Sequence, residues 1–363
     1  MREPRVRYSL PVKHLGDMMR KLTIEFLAAT ALSLSAVDLT AQPAARGGVE
    51  RYDPSVDVLV GAEVKVEKLA EQDGFFEGPV WHRGPGTGFL TFSDVTQNKI
   101  FKWDQASGLT TYVDKVFTGK DTSSVITFER NGRTYQQPGP NGQTLDKEGR
   151  LVFCAMGSGR IMRREANGSL TVLVSAYDGR HLNAPNDLVY KSDGALYFTD
   201  IRAASRTTDE DPPEGVPHTG VYRFKDGELT LLVSDLATPN GLAFSPDEKV
   251  MYVNDIRVRK VMRYDVNPDG SLANGSVFID MMAAGDTRQG NPDGMRIDTR
   301  GNVWTGGPGG IWIINPEGKH IGTVITPERI SNLAFGDADG KTIYATGPTQ
   351  LFRFRVNIAG LRP

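Results

Sequence analysis

The stretch TPNGLAFSPDEKVMYVND, residues 238–255, decides the fold. Apolar and polar residues alternate in NGLAFS (240–245) and again in EKVMYVND (248–255), with Pro-Asp between them. That is the pattern of two short strands joined by a turn. The second half recurs along the chain as TGFLTFSD (87–94), EGRLVFCA (148–155), DGALYFTD (193–200), RGNVWTGG (300–307) and DGKTIYATG (339–347). Another strand follows each copy: KIFKWD (99–104), RIMRRE (160–165), GVYRFK (220–225), KVMRYD (260–265), GIWIINP (310–316) and QLFRFRV (350–356). A third piece, of the type LTTYVD, LTVLVS, LTLLVS, SVFID and IGTVIT, occurs only five times. VKVEKLA (64–70), ahead of the first repeat, can supply the sixth.

A spare strand at the front and a missing strand at the back is how a ring of repeats closes. The spacing therefore predicts an all-β chain, a six-bladed β-propeller of four-stranded antiparallel blades over residues 60–363, closed by its N-terminal strand. Gly and Pro, together about a sixth of the chain, fit many short strands and tight turns. The net charge of -2 gives no footprint for nucleic acid. The single cysteine, Cys154, excludes an intrachain disulfide and sits in the apolar run LVFCAM, where packing is the expected role. Residues 1–50 read as a leader. From Met19, the basic Arg20 and Lys21 precede the apolar FLAATALSLSAV (26–37), with a cleavage site expected near Ala41, a signal-peptide pattern implying a periplasmic or secreted protein.

Stacking the innermost strands gives EGPVWH (77–82), NGQTLD (141–146), NDLVYK (186–191), NGLAFS (240–245), DGMRID (293–298) and SNLAFG (331–336). The first column is Glu77, Asn141, Asn186, Asn240, Asp293 and Ser331, all oxygen-bearing side chains that the ring brings to one face of the central channel. Any one Asn-Gly or Asp-Gly pair could be a turn. Carboxylates clustered on the axis are not something the fold requires. Glu, Asp and carboxamide oxygens, with no Cys or His, suit a hard divalent cation: Ca²⁺ first, with Mg²⁺ or Mn²⁺ as alternatives. On the same face lie the links between second and third strands, which carry Asp94, Met156, the loop 201–219 with His218, and Asp255 with Arg257. The segment 116–140 also ends there. Asn141, Met156, Asp255, Arg257 and His218 are thus the candidate substrate contacts.

FFEGPVW (75–81), APNDLVYKSDGALYFTD (184–200), TPNGLAFSPDEKVMYVND (238–255) and NPDGMRID (291–298), in that order, resemble the regucalcin/gluconolactonase (senescence marker protein-like) family of six-bladed propellers. The resemblance implies a divalent cation held by Glu77, Asn186, Asn240 and Asp293, and Asp293 as both ligand and general base or nucleophile. It also implies lactone hydrolysis. Two stretches depart from the pattern of the sugar-lactonase members. CAMGSGR (154–160) has Met156 where a His is typical, and FTDIRAAS (198–205) replaces a Pro-Pro-aromatic-Gly sequence. The expectation is a metal-dependent, gluconolactonase-like hydrolase of a cyclic ester, with the two departures opening the substrate to a lactone or ester less polar than an aldonolactone. The alternatives are a phosphotriester hydrolase using the same site and a secreted, non-catalytic binding propeller with a structural ion.

Overall fold

The repeats fold as their alternation dictates. The computed structural model describes residues 48–84, 88–119, 125–201, 215–283 and 285–361. Six antiparallel sheets follow one another along the chain. Blade 1 comprises Phe76–His82, Phe89–Asp94, Lys99–Asp104 and Gly108–Asp114; blade 2 comprises Gln143–Leu145, Leu151–Ala155, Arg160–Arg164 and Leu170–Val174. Blade 3 is built from Ala184–Tyr190, Leu196–Ile201, Gly220–Lys225 and Glu228–Val233. Blade 4 is built from Pro239–Phe244, Val250–Asp255, Lys260–Val266 and Leu272–Asp280. Met295–Ile297, Val303–Gly307, Gly310–Ile314 and His320–Ile325 form blade 5. Asn332–Gly336, Thr342–Thr346 and Gln350–Arg355 begin blade 6, and Glu67–Glu71 completes it by pairing antiparallel with Gln350–Arg355. The expected closure by the N-terminal strand is therefore present, and the chain is a six-bladed β-propeller.

Between successive blades lies an apolar core. Val80 and Ile100 of blade 1 meet Leu151 and Phe153 of blade 2. Leu188, Leu196 and Phe198 of blade 3 meet Val152 and Ile161 of blade 2. Trp304 and Ile313 of blade 5 pack with Leu333, Ile343 and Phe352 of blade 6. Across the closure, Phe76 and Phe92 of blade 1 share a cluster with Tyr344 and Leu351 of blade 6. Burying both faces of each sheet in this way, rather than one large core, is what a ring of repeats offers. Cys154 is fully buried in one of these layers, and burial pushes its thiol well up, as a packing residue requires.

The sequence reading starts the propeller at residue 60, but the sheet of blade 5 has a fifth strand from farther upstream. Val49–Arg51 pairs antiparallel with His320–Ile325, placing Val49 opposite Val324. Glu50 then receives both terminal nitrogens of Arg288, each at 2.9 Å. Three residues are too few for the period-2 signal to register. Of the leader expected over residues 1–50, residues 1–47 lie outside the described residues, as do 120–124 and 202–214 of the two long loops. Among the described residues no helix is long and apolar enough to cross a membrane.

Candidate active site

All six residues of the polar column are buried: Glu77, Asn141, Asn186, Asn240, Asp293 and Ser331. Backbone contacts between blades hold the column together. The Gly142 N–H donates to the Asn186 carbonyl at 2.8 Å, Gly241 to Asp293 at 3.2 Å, and Gly294 to Ser331 at 2.7 Å. The Ser331 hydroxyl closes the circle on the Phe76 carbonyl at 2.6 Å. These contacts explain the glycines that read as turn residues in the sequence. A Cβ at Gly241 would collide with the Asp293 carbonyl, and one at Gly142 would lie 2.7 Å from the Asn186 carbonyl oxygen. The glycine is required by the close approach of blades around the axis.

Three of the four candidate cation ligands also sit in β-bulges, which the alternation does not show. The register shifts between Glu77 and Val80 in blade 1, between Pro185 and Leu188 in blade 3, and between Pro239 and Leu242 in blade 4. A bulge re-aims a side chain that regular pleating would send elsewhere. Here it turns Glu77, Asn186 and Asn240.

A second set of polar residues was missed by the sequence reading. Side chains in the second strand, each one position before Asp94, Asp200 or Asp255, reach over to the next blade's column residue. Ser93 Oγ donates to the Asn141 carbonyl at 2.6 Å, and Thr199 Oγ1 to the Asn240 carbonyl at 2.8 Å. Asn254 Nδ2 donates to the Asp293 carbonyl and, at 2.9 Å, to Thr305 Oγ1, which donates in turn to the Gly294 carbonyl. The column after the ring residues held a further signal: Gly78, Gly142, Asp187, Gly241, Gly294, Asn332. Its two non-glycine members come from blades 3 and 6, which face each other in a ring of six. Asn332 Nδ2 donates to Asp187 Oδ2 at 3.2 Å, and Arg296 stands 3.9 Å from the same carboxylate.

The electrostatics single out Glu77 and Asp293. Burial pushes Glu77 well above the usual carboxylate range, and the charges of Asp293 and Asp187 push it further. Asp293 is pushed up to about 7, chiefly by burial, with Asp187 adding to the rise and Arg329 and the Asn240 side chain opposing it. Buried carboxylates raised by burial and by a neighbouring carboxylate in this way are a cost to the fold unless a proton or cation compensates them. The Asn240 side chain is already turned to Asp293. Among the described residues no three His, Cys, Asp or Glu side chains converge as a metal cluster. The donor set is instead two carboxylates with the carboxamides of Asn186 and Asn240, all oxygen, and it fits a hard divalent cation.

The candidate substrate contacts separate into two groups. Asn141 and Met156 stand together at the ring, Asn141 Nδ2 lying 3.4 Å from the Met156 sulfur. Asn141 Oδ1 is buried with no hydrogen-bond partner among the described residues, so an acceptor is left open. Asp255 is different. Its two oxygens accept from the backbone N–H groups of Ala237 at 2.7 Å and Thr238 at 3.0 Å. Asp200 does the same for Asn183 and Ala184, at 3.0 and 2.6 Å, so this aspartate is a recurring clamp on the entry to the innermost strand. Arg257 is exposed on the link after blade 4's second strand. His218 is half-buried, with Nδ1 3.2 Å from the Thr219 carbonyl. Neither has a hydrogen bond to a ring residue among the described residues.

Part of the segment 116–140 forms a wall. Thr127–Arg130 and Arg133–Gln136 make a hairpin, and Ile126 and Phe128 pack on a cluster of Phe75, Val95, Met156 and Ala184. Phe128 meets Phe75 edge-on with ring centroids 5.3 Å apart. Beside the oxygen ring this wall is thus apolar, with the Arg329 guanidinium carbon 5.2 Å from the centroid of its Phe75 ring. A separate cavity of about 1030 Å³ is lined by His82, Asp146–Arg150 and Lys191–Gly194, the turns after the innermost strands, and so opens at the opposite end of the blades. None of the candidate residues lines it.

A six-bladed propeller with acidic and carboxamide oxygens ringed around its axis defines a class of channel-mouth site. Residues 75–348 match the SMP-30/Gluconolactonase/LRE-like region, and the chain belongs to that family. A gluconolactonase from Zymomonas mobilis is 29% identical over 327 residues, covering 86% of this chain and 87% of the relative. A pentonolactonase from Haloferax volcanii is 24% identical, covering 74% and 80%. Among solved structures, a gluconolactonase from Xanthomonas campestris superposes with a TM-score of 0.69 at 27% identity, covering 86% of this chain and 96% of that one. The calcium-binding protein regucalcin from Agrobacterium tumefaciens, at 19% identity, shares the fold with a TM-score of 0.62 over 83% and 97%.

Proposed function

We propose that the protein is a lactone hydrolase whose site holds a divalent cation through Glu77, Asn186, Asn240 and Asp293. The observation that carries this reading is the burial of Glu77 and Asp293 within each other's electrostatic reach, beside two carboxamides aimed by bulges. The lactonases among its relatives supply the reaction class. Ca²⁺ is the first choice of ion, since two neutral amides and an irregular ring suit its loose geometry, and a regucalcin of the same fold binds calcium. The cation, when bound, supplies Lewis-acid polarisation of the ester carbonyl.

The chain's own groups do the rest. Asp293 takes a proton from water or attacks the carbonyl carbon, and its main chain is fixed for this by Asn254 and Gly241. Asn141 Oδ1 accepts a hydrogen bond from a substrate donor, the role left open by its missing partner. The wall of Phe75, Phe128 and Met156 receives the apolar part of the ring. The signal-peptide pattern within residues 1–50 supports a periplasmic or secreted location for this activity.

The test is hydrolysis of sugar and aliphatic lactones by the chain lacking its leader, in EDTA and after addition of Ca²⁺, Mg²⁺, Mn²⁺ or Zn²⁺. Turnover lost in EDTA and restored by a hard cation is the expected result. Turnover indifferent to chelation would remove the cation from the mechanism. Cation binding without hydrolysis of any lactone would move the site to phosphotriesters or to binding alone.

A further inference from the structure

Arg329 lies in the link from blade 5 to blade 6, two residues before Ser331 of the oxygen ring. Its guanidinium carbon stands 5.2 Å from the centroid of Phe75, itself two residues before Glu77. Among the described residues Arg329 makes no ion pair and no side-chain hydrogen bond. The adjacent carboxylate does not compensate it, because Glu328 accepts from the backbone N–H groups of Thr349 and Gln350 at 3.0 and 2.8 Å and from the Thr349 hydroxyl at 3.0 Å. A guanidinium placed over an aromatic ring can keep N–H donors available to a ligand around its edge.

The charges around it make this position informative. Asp187 is matched by Arg296 at 3.9 Å. Glu77 and Asp293 would be matched by the divalent cation they are proposed to hold. Arg329 then stands as surplus positive charge at a site already close enough for it to act on Asp293. A neutral lactone gives that charge no counterpart.

We propose that Arg329 is a specificity-determining residue, and that the preferred substrate is a lactone bearing an anionic group, carboxylate or phosphate, which the guanidinium edge grips while Phe75 holds its face. This rests on the lactone-hydrolase reading and narrows it to a substrate class. A planar fork of N–H donors matches either anion in a bidentate manner, whereas a hydroxyl meets only one donor.

The experiment compares D-glucono-δ-lactone, which is neutral, with D-glucaro-1,4-lactone and 6-phosphoglucono-δ-lactone, which carry a carboxylate and a phosphate. Each is tested on the wild type, Arg329→Met and Arg329→Lys, with melting curves to confirm folding. Methionine keeps an apolar stem over Phe75 and removes the charge. The expected result is a wild-type preference in kcat/KM for one anionic lactone, reduced about 10-fold to 100-fold in Arg329→Met through KM and only partly retained in Arg329→Lys, which keeps the charge but not the fork. Which anion is preferred identifies the source. An equal loss on all three lactones in Arg329→Met would overturn the proposal, because Arg329 would then act through Asp293 rather than on the substrate. So would a wild-type preference for the neutral lactone. If the wild type hydrolyses no lactone, the functional reading fails by itself. Calorimetry with D-glucaro-1,4-lactone then decides the role of Arg329: binding lost in Arg329→Met upholds it, and binding unchanged overturns it.

Discussion

Asp293 is where stability and function oppose each other most directly. Its carboxylate is buried near two others, and its ionised form is disfavoured by both burial and repulsion. Asp293→Asn keeps the shape and removes the charge. At pH 8 in EDTA the variant should melt a few degrees above the wild type, a gain of about 1–2 kcal/mol, while lactone turnover falls at least about 1000-fold. A variant that melts lower in EDTA would show that the carboxylates are not in conflict. Asn254 offers a sharper test of how Asp293 is held. Asn254→Ala removes the donors to two acceptors, the Asp293 carbonyl and Thr305 Oγ1, and should cost about 1–3 kcal/mol together with a fall in kcat. Asn254→Thr should recover much of both, because Thr199 performs the same task at the corresponding position in blade 3. Urea midpoints and kcat measured side by side decide it, and a threonine variant no better than alanine would refute the shared role.

Whole strands reach the axis only because their first residues leave room. Gly241 brings blade 4 against the main chain of Asp293, and a Cβ there would lie 2.8 Å from the Gly294 Cα as well as striking the carbonyl. Gly241→Ala should therefore destabilise the fold by about 1–3 kcal/mol and should also weaken cation binding, since the displaced backbone carries Asp293. Calorimetric titration with Ca²⁺ alongside chemical denaturation separates the two effects. Unchanged affinity with lowered stability would mean that blade spacing and ligand geometry are independent. The hairpin Thr127–Gln136 acts on another part of the site. It is anchored by Phe128 on Phe75 and by Arg130, which donates to the Gly74 carbonyl at 2.8 Å and pairs with Asp73. It makes a wall of the apolar cluster that contains Met156.

At the scale of the whole molecule, two buried histidines should cost stability as the solution is acidified below neutrality. Burial holds His82 and His320 down to about 4, against an ordinary value of 6.5. The folded state therefore binds fewer protons than the unfolded chain between these values. Stability contributed by the neutral rings is complete above pH 6.5 and lost as pH falls toward 4, at up to about 3 kcal/mol per histidine. Asp200 works in the opposite sense. Raised to about 7 by burial, its contribution is complete below 3.8 and lost as pH rises through 7. Asp293, also raised to about 7, and Glu77, raised well above its ordinary range, act in the same sense as Asp200, so the histidine share of the change in melting temperature from pH 6.5 to pH 4 is isolated by substitution. His82→Gln, whose amide can still donate to Thr91 as the ring Nε2 does at 2.9 Å, should make the change in melting temperature from pH 6.5 to pH 4 less negative than in the wild type. An unaltered change would assign the acid sensitivity elsewhere.

Repeated alternation and turn residues carried the propeller, its blade count and its closing strand, because each blade is a local pattern that repeats and a missing piece can be counted. The same stacking aligned Glu77, Asn186, Asn240 and Asp293, since a ring turns equal positions in the repeat into neighbours in space. Folding alone decided what surrounds them. Asp255 looked like a pocket residue by its place on a link, yet its carboxylate is consumed by the amides of Ala237 and Thr238. The Asn-Gly and Asp-Gly pairs looked like turns and are points where blades nearly touch. Arg329 carried no signal at all. A free guanidinium is defined by the partners it lacks, and partners come from segments far apart in the chain. Pattern is a property of neighbours along the sequence; compensation of charge and filling of space are properties of neighbours across it.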